Sequence, residues 1–137
     1  MLPDIATLQA SLAGPGAHEA LLRRVLAEAR TPAAAHVYTA LFDDEALAAA
    51  RAADALAARG APLPALAGLP VTVKDLYDIA GRTTMAGSVL RDGEAPAARD
   101  AEAVARLRRA GAEIVLETPQ HVVGPAGFTL YAAQRGL

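Results

Sequence analysis

The sequence predicts an α/β fold: a helical hairpin followed by the first strands of a mixed sheet, with the sheet left incomplete. Three observations lead there. Apolar residues recur at helical spacing in four stretches, three short apolar or β-branched runs lie among them, and Pro119 to Leu137 shows no further helix or strand to cover the sheet.

Taken in order, Asp4 is placed to cap a short helix whose Ile5, Leu8 and Leu12 share a face before Gly14-Pro15-Gly16 stops it. A second helix, about 17–30, repeats Leu21, Leu22, Val25 and Leu26 and ends before Pro32. The segment His36 to Phe42 is short, partly β-branched and aromatic, and reads as a strand handing over at Asp43-Asp44 to a capped helix. That helix, about 44–59, ends at Gly60, and its face of Ala46, Leu47, Ala50, Ala53 and Ala57 is small enough to let a neighbour come close. Residues 61–67, with two prolines, form a connector. Val71-Thr72-Val73 then reads as a buried strand, with Pro70 tolerable at its first position. Asp100 is expected to cap a last helix through Arg109, Gly111 closes it, and Glu113 to Leu116 supplies a further strand. This divides the single domain into 1–60, the helices and first strand; 61–116, a lysine-bearing strand, loop, helix and strand; and 117–137, a divergent tail.

Composition excludes several functions. With 15 acidic against 13 basic residues, scattered among one another, no basic face is available for nucleic acid or anionic lipid. There is no cysteine, and His18, His36 and His121 are far apart in sequence, so neither a disulfide framework nor a local metal site is expected. The start MLPDIATL lacks the basic and apolar blocks of a signal peptide, and the longest stretch without Asp, Glu, Lys or Arg, Thr118 to Gln134, is interrupted by prolines and glycines. A soluble cytoplasmic chain is expected.

Of the 13 basic residues only Lys74 is a lysine, and it ends the run Pro-Val-Thr-Val. The C-terminal end of a strand is where α/β sheets place functional groups, and burial there would favour a neutral amine able to act as a base. A solvated lysine at a strand mouth is the competing reading.

The run Leu66-Ala-Gly-Leu-Pro-Val-Thr-Val-Lys-Asp75, then Asp78-Ile-Ala-Gly81 and Thr84-Met-Ala-Gly-Ser88, resembles the N-terminal block of the amidase signature hydrolases. The flanks agree: Arg51-Ala-Ala-Asp54 resembles a helix of that family, and so does Asp100 to Ala112. The resemblance runs from about Asp4 to Val115 and implies the N-terminal portion of the amidase signature fold. It also implies hydrolysis of a carbon–nitrogen amide bond. In that family a neutral lysine activates a serine nucleophile through a second serine held in a cis peptide. Lys74 matches the lysine; Asp75 and Asp78 would brace the turn behind it, and Thr83, Thr84, Gly87 and Ser88 would form the adjoining loop, by hydrogen bonding rather than chemistry. No metal or organic cofactor is implied.

The two family serines lie in a Gly- and Ser-rich segment that has no counterpart in these 137 residues, whose only serines are Ser11 and Ser88. Thr118, His121, Gly124, Pro125 and Gly127 could be remains of the family pattern after the last strand, with His121 a loop or surface histidine. Three readings result: a truncated amidase-signature protein, inactive alone; a component of a split amidase or amidotransferase-type complex, partnered by a polypeptide carrying the missing part or by self-association; or a noncatalytic interaction domain.

Overall fold

The computed structural model describes residues 4–35 and 37–118. The expectations placed on His36, His121 and the tail beyond Thr118 lie outside those residues.

Helix α1, Ile5–Ala10, begins where Asp4 accepts the Thr7 N–H at 2.7 Å, as its sequence predicts. Helix α2 follows at Ala17–Ala29 and buries Leu21, Leu22, Leu26 and Ala29. Helix α3, Asp43–Ala58, turns Ala46, Ala50 and Ala53 inward, and these methyl-sized side chains let α2 lie close against it. Strand β1 is confined to Ala40–Leu41, shorter than the predicted His36 to Phe42, and Val37 turns back to donate its N–H to the Ala34 carbonyl at 3.0 Å. Strand β2 is Pro70–Lys74, α4 is Glu102–Arg109 and β3 is Glu113–Thr118.

Two predicted caps are corrected. Phe42, not an aspartate, holds the N-cap position of α3, without a side-chain bond; Asp43, Asp44 and Glu45 lie inside the first turn, where the helix dipole favours them, and Asp43 pairs with Arg30. Ala101 starts α4, again without a side-chain cap. The Asp100 carboxylate instead accepts the Ala80 N–H at 2.8 Å and pairs with Arg108 at 3.1 Å. In both places a tertiary partner takes the carboxylate that local sequence assigned to the helix end.

The sheet is mixed and unclosed, in the order β1-β3-β2, with β3 antiparallel to β1 and parallel to β2. Helices cover it on both faces. Val115 points into a core with Leu22, Leu26, Ala46, Ala50 and Leu69, beneath α2 and α3. Ile114 and Val73 point the other way, to Phe42, Ile79 and Val104 of the α4 side. Alternation along β2 puts Thr72 and Lys74 on the face that α2 and α3 cover over β3, yet both are exposed. The helices stop short of β2, which is an edge of the sheet among the described residues.

Candidate functional site

Lys74 closes β2, and the chain turns at once: the N–H groups of Leu76 and Tyr77 both donate to the Lys74 carbonyl, at 2.7 and 3.1 Å. This tight turn sends Asp75 inward, where it is 3% exposed. Its two carboxylate oxygens accept the N–H groups of Met85 and Gly87, at 2.8 and 3.1 Å. Ala86 between them is buried with φ of 52°, a left-handed conformation that costs an alanine about 1 kcal/mol. The Asp75 bonds hold it there. Asp78 completes the brace: its carboxylate accepts the Thr84 hydroxyl at 2.6 Å, and its carbonyl accepts the Ala101 N–H at 2.8 Å, tying the loop to the start of α4. Thr83 donates its hydroxyl to the Glu94 carbonyl at 2.8 Å, and the Ser88 hydroxyl oxygen accepts the Leu90 N–H at 3.3 Å.

The structure thus brings Asp75, Asp78, Thr84, Gly87 and Ser88 into one bonded unit directly behind Lys74. A cleft of about 500 Å³ opens beside it, lined by Thr39, Ala40, Asp75, Met85, Ser88 and Val89 among others. Sheet register puts this cleft at the C-terminal end of β2 and β3, because Glu117 pairs with both Ala40 and Val73. On its rim Val89 and Leu90 are 83% and 90% exposed, although Arg91 fastens the turn that carries them by donating to the Thr84 carbonyl at 2.7 Å. The apolar run leads one to expect a buried strand around Lys74. Val73 is buried and Lys74 is not, since nothing among the described residues lies over that side chain. No group of three or more Asp, Glu or His among the described residues is placed to hold a metal ion, and no helix among them is long and apolar enough to cross a membrane.

A second polar cluster is one that sequence reasoning misses. Asp54 of α3 reaches across to the start of α2, where Gly16 offers no side-chain cap. One of its oxygens accepts the His18 N–H at 3.1 Å and meets His18 Nδ1 at 2.7 Å; the other accepts the Glu19 N–H at 3.0 Å. Burial pushes the Asp54 carboxyl up, but the Glu19 N–H, the His18 ring and the His18 N–H outweigh it and hold it below the usual range. The His18 ring is 2% exposed and lies on Gly68, whose φ is 66° and where a Cβ would collide with His18 Cδ2. The available signal was a lone carboxylate beside the alanine face of α3.

What is assembled is a partial α/β layer that presents a lysine at a strand end, above a loop pinned by buried carboxylates. The Amidase family model matches residues 19–130. The chain belongs to the amidase family. It is 46% identical over 80 residues to the AtzE subunit of 1-carboxybiuret hydrolase from Pseudomonas sp. (strain ADP), covering 58% of this chain and 18% of that protein. It is 39% identical over 119 residues to a glutamyl-tRNA(Gln) amidotransferase subunit of Mycobacterium tuberculosis (strain ATCC 25177 / H37Ra), covering 84% of this chain and 24% of the relative. Among solved structures, a vestigial protein complex described as revealing the origins of an s-triazine catabolic enzyme superposes with TM-score 0.75 at 35% identity, over 85% of this chain and 26% of that one. A crystal structure of an amidase gives 0.69 at 33%, over 85% and 27%. The chain therefore spans between about a fifth and a quarter of the length of these relatives.

Proposed function

We propose that this chain is the N-terminal, lysine-bearing portion of an amidase-signature hydrolase that works within a split amidase or amidotransferase-type complex. The observation that carries the proposal is the bare side chain of Lys74 on an uncovered face of an edge strand, above a loop that is fully bonded. Two similarities support it: the matched Pseudomonas protein is named as one subunit of a hydrolase, and a vestigial protein complex shares the fold.

The chemistry follows from what the lysine needs. A lysine acts as a base when its ammonium is disfavoured, most directly by taking it out of water. Lys74 is exposed among the described residues, so the drying would come from chain outside them, in this reading a second polypeptide laid over Thr72 and Lys74, pairing with the β2 edge and covering Val89 and Leu90. That polypeptide would also bring the serines. The nucleophilic hydroxyl would pass its proton through the relay serine to Lys74 Nζ as it attacks the amide carbonyl; the leaving amine would take that proton as the C–N bond breaks, and water would then release the acyl group from the serine as a carboxylic acid. Asp75, Asp78 and Thr84 hold the turn that aims Lys74, while Gly87 and Ser88 shape the cleft wall.

Coexpression with a polypeptide bearing a Gly- and Ser-rich amidase segment tests this. A copurifying complex should hydrolyse a simple amide, with Lys74→Met lowering the rate about 10²- to 10⁴-fold without dissolving the complex. Failure to copurify, or activity indifferent to Lys74→Met, would overturn the proposal. Amide hydrolysis by the 137-residue chain alone would do so as well.

A further inference from the structure

We propose that the cleft beside His18, lined by the segment that leads into the N-terminal end of β2 while Lys74 closes the other end, binds a small neutral molecule carrying an N–H or O–H donor on a compact apolar body. His18 Nε2 is the acceptor.

Asp54 sets the state of the imidazole. Both of its oxygens are already engaged by backbone N–H donors, of His18 and Glu19, so the carboxylate acts as an acceptor and the contact at 2.7 Å is a proton on Nδ1 pointed at Oδ1. Wherever the ring is neutral, Nε2 is then a lone pair. No protein group among the described residues bonds to it, and it is not among the fully buried unsatisfied atoms, of which Asp43 Oδ1 alone is found among the described residues. A ring only 2% exposed therefore opens its one free polar atom to the outside.

Gly68 packs against Cδ2 and Asp54 holds Nδ1, and the ring lines a cleft of about 210 Å³, into which Nε2 is proposed to point. Leu12, Ala13, Leu63, Pro64 and Ala67 make its walls, and Gln9 joins them while its side-chain amide donates to the Ala65 carbonyl. That donation leaves the Gln9 carbonyl oxygen as a second acceptor in the same lining. Apolar walls, two acceptors and no charged lining residue select an uncharged ligand with an NH2 or OH group, such as a small primary amide or alcohol. Carboxylates are excluded because both acceptors would repel them.

This site is independent of the proposed hydrolase function. Isobutyramide titrated into the isotopically labelled full chain, followed by NMR of the His18 ring nitrogens and the Ala67 and Gly68 amides, tests it. The expected result is an Nδ1–H tautomer and a saturable shift of Nε2, with affinity of about millimolar order for so small a ligand. Leu63→Trp, and separately Ala13→Leu, fill the cleft without touching the His18–Asp54 pair, and each should weaken binding about tenfold or more. An Nε2–H tautomer overturns the proposal. So does the absence of any saturable shift, which would mean that the cleft holds water alone, or an unchanged affinity in both cleft-filling variants.

Discussion

The two strands β2 and β3 have opposite fates on one face of the sheet. Over β3, α2 and α3 seal Val115 completely, and the seam between the helices is locked by Asp54 reaching from one to the backbone of the other. One strand further along the same face, Thr72 and Lys74 are open to water. The polar groups differ accordingly. Asp54 and Asp75 are committed to backbone donors and hold structure, whereas Lys74 is exposed and binds its surroundings through its backbone. In one small layer, the residues that stabilise are buried and bonded, and the residue to which the proposal gives the chemistry is left exposed.

The largest effect that would sharpen this contrast is expected from Gly68→Ala. The new Cβ would collide with the His18 ring in a backbone conformation with φ of 66°. A loss of about 3 kcal/mol or more should appear in urea unfolding; a neutral result would mean that the helical seam is loose. Asp75→Ala should cost about 1–3 kcal/mol, since it removes a buried carboxylate from two part-buried N–H groups and releases the strained Ala86. Amide exchange at Met85 and Gly87 should accelerate while exchange in α2 stays slow.

Asp54→Ala should cost about 2–3 kcal/mol and should reverse that pattern, with fast exchange at His18 and Glu19. It also carries a pH signature. The Asp54 carboxyl is depressed in the fold, so its contribution is fully present above its unfolded value of about 3.9 and is lost as pH falls through the lower folded value. Unfolding midpoints measured down the acid range should fall more steeply for the wild-type chain than for Asp54→Asn.

Two small effects complete the series. Glu113 is raised by burial, against a lowering by Arg108, so its charged form is disfavoured in the fold and stability gains as pH falls toward that raised value. Glu113→Gln should therefore stabilise at neutral pH, by less than about 1 kcal/mol in thermal unfolding. Lys74→Met should change the stability of the chain by less than about 0.5 kcal/mol, because the side chain is exposed. A large destabilisation at that position would show that something already covers β2 and would break the contrast drawn above.

Much of the architecture is legible in the sequence, since helical periodicity and glycine stops are local signals. The bounds of α1, α2 and α3 follow Leu spacing, the alanine face, Gly14 and Gly60 closely, and β2 follows the run from Pro70. The amidase resemblance of the Lys74 block is equally local, a matter of residue order. What the chain's order could not contain is where each carboxylate spends its hydrogen bonds. Asp100 and Asp43 read as helix caps and are taken by Ala80, Arg108 and Arg30 instead, while Asp54 caps a helix beginning 37 residues before it, with His18 36 residues away in the chain. The exposure of Lys74 is of the same kind: an apolar run predicts a strand, but only the reach of α2 and α3 decides which strand of the sheet they cover. Propensity and pattern act over a few residues, so the sequence by itself determined the elements and the family. Burial and hydrogen-bond partnership join residues tens of positions apart, and tertiary structure alone decided those.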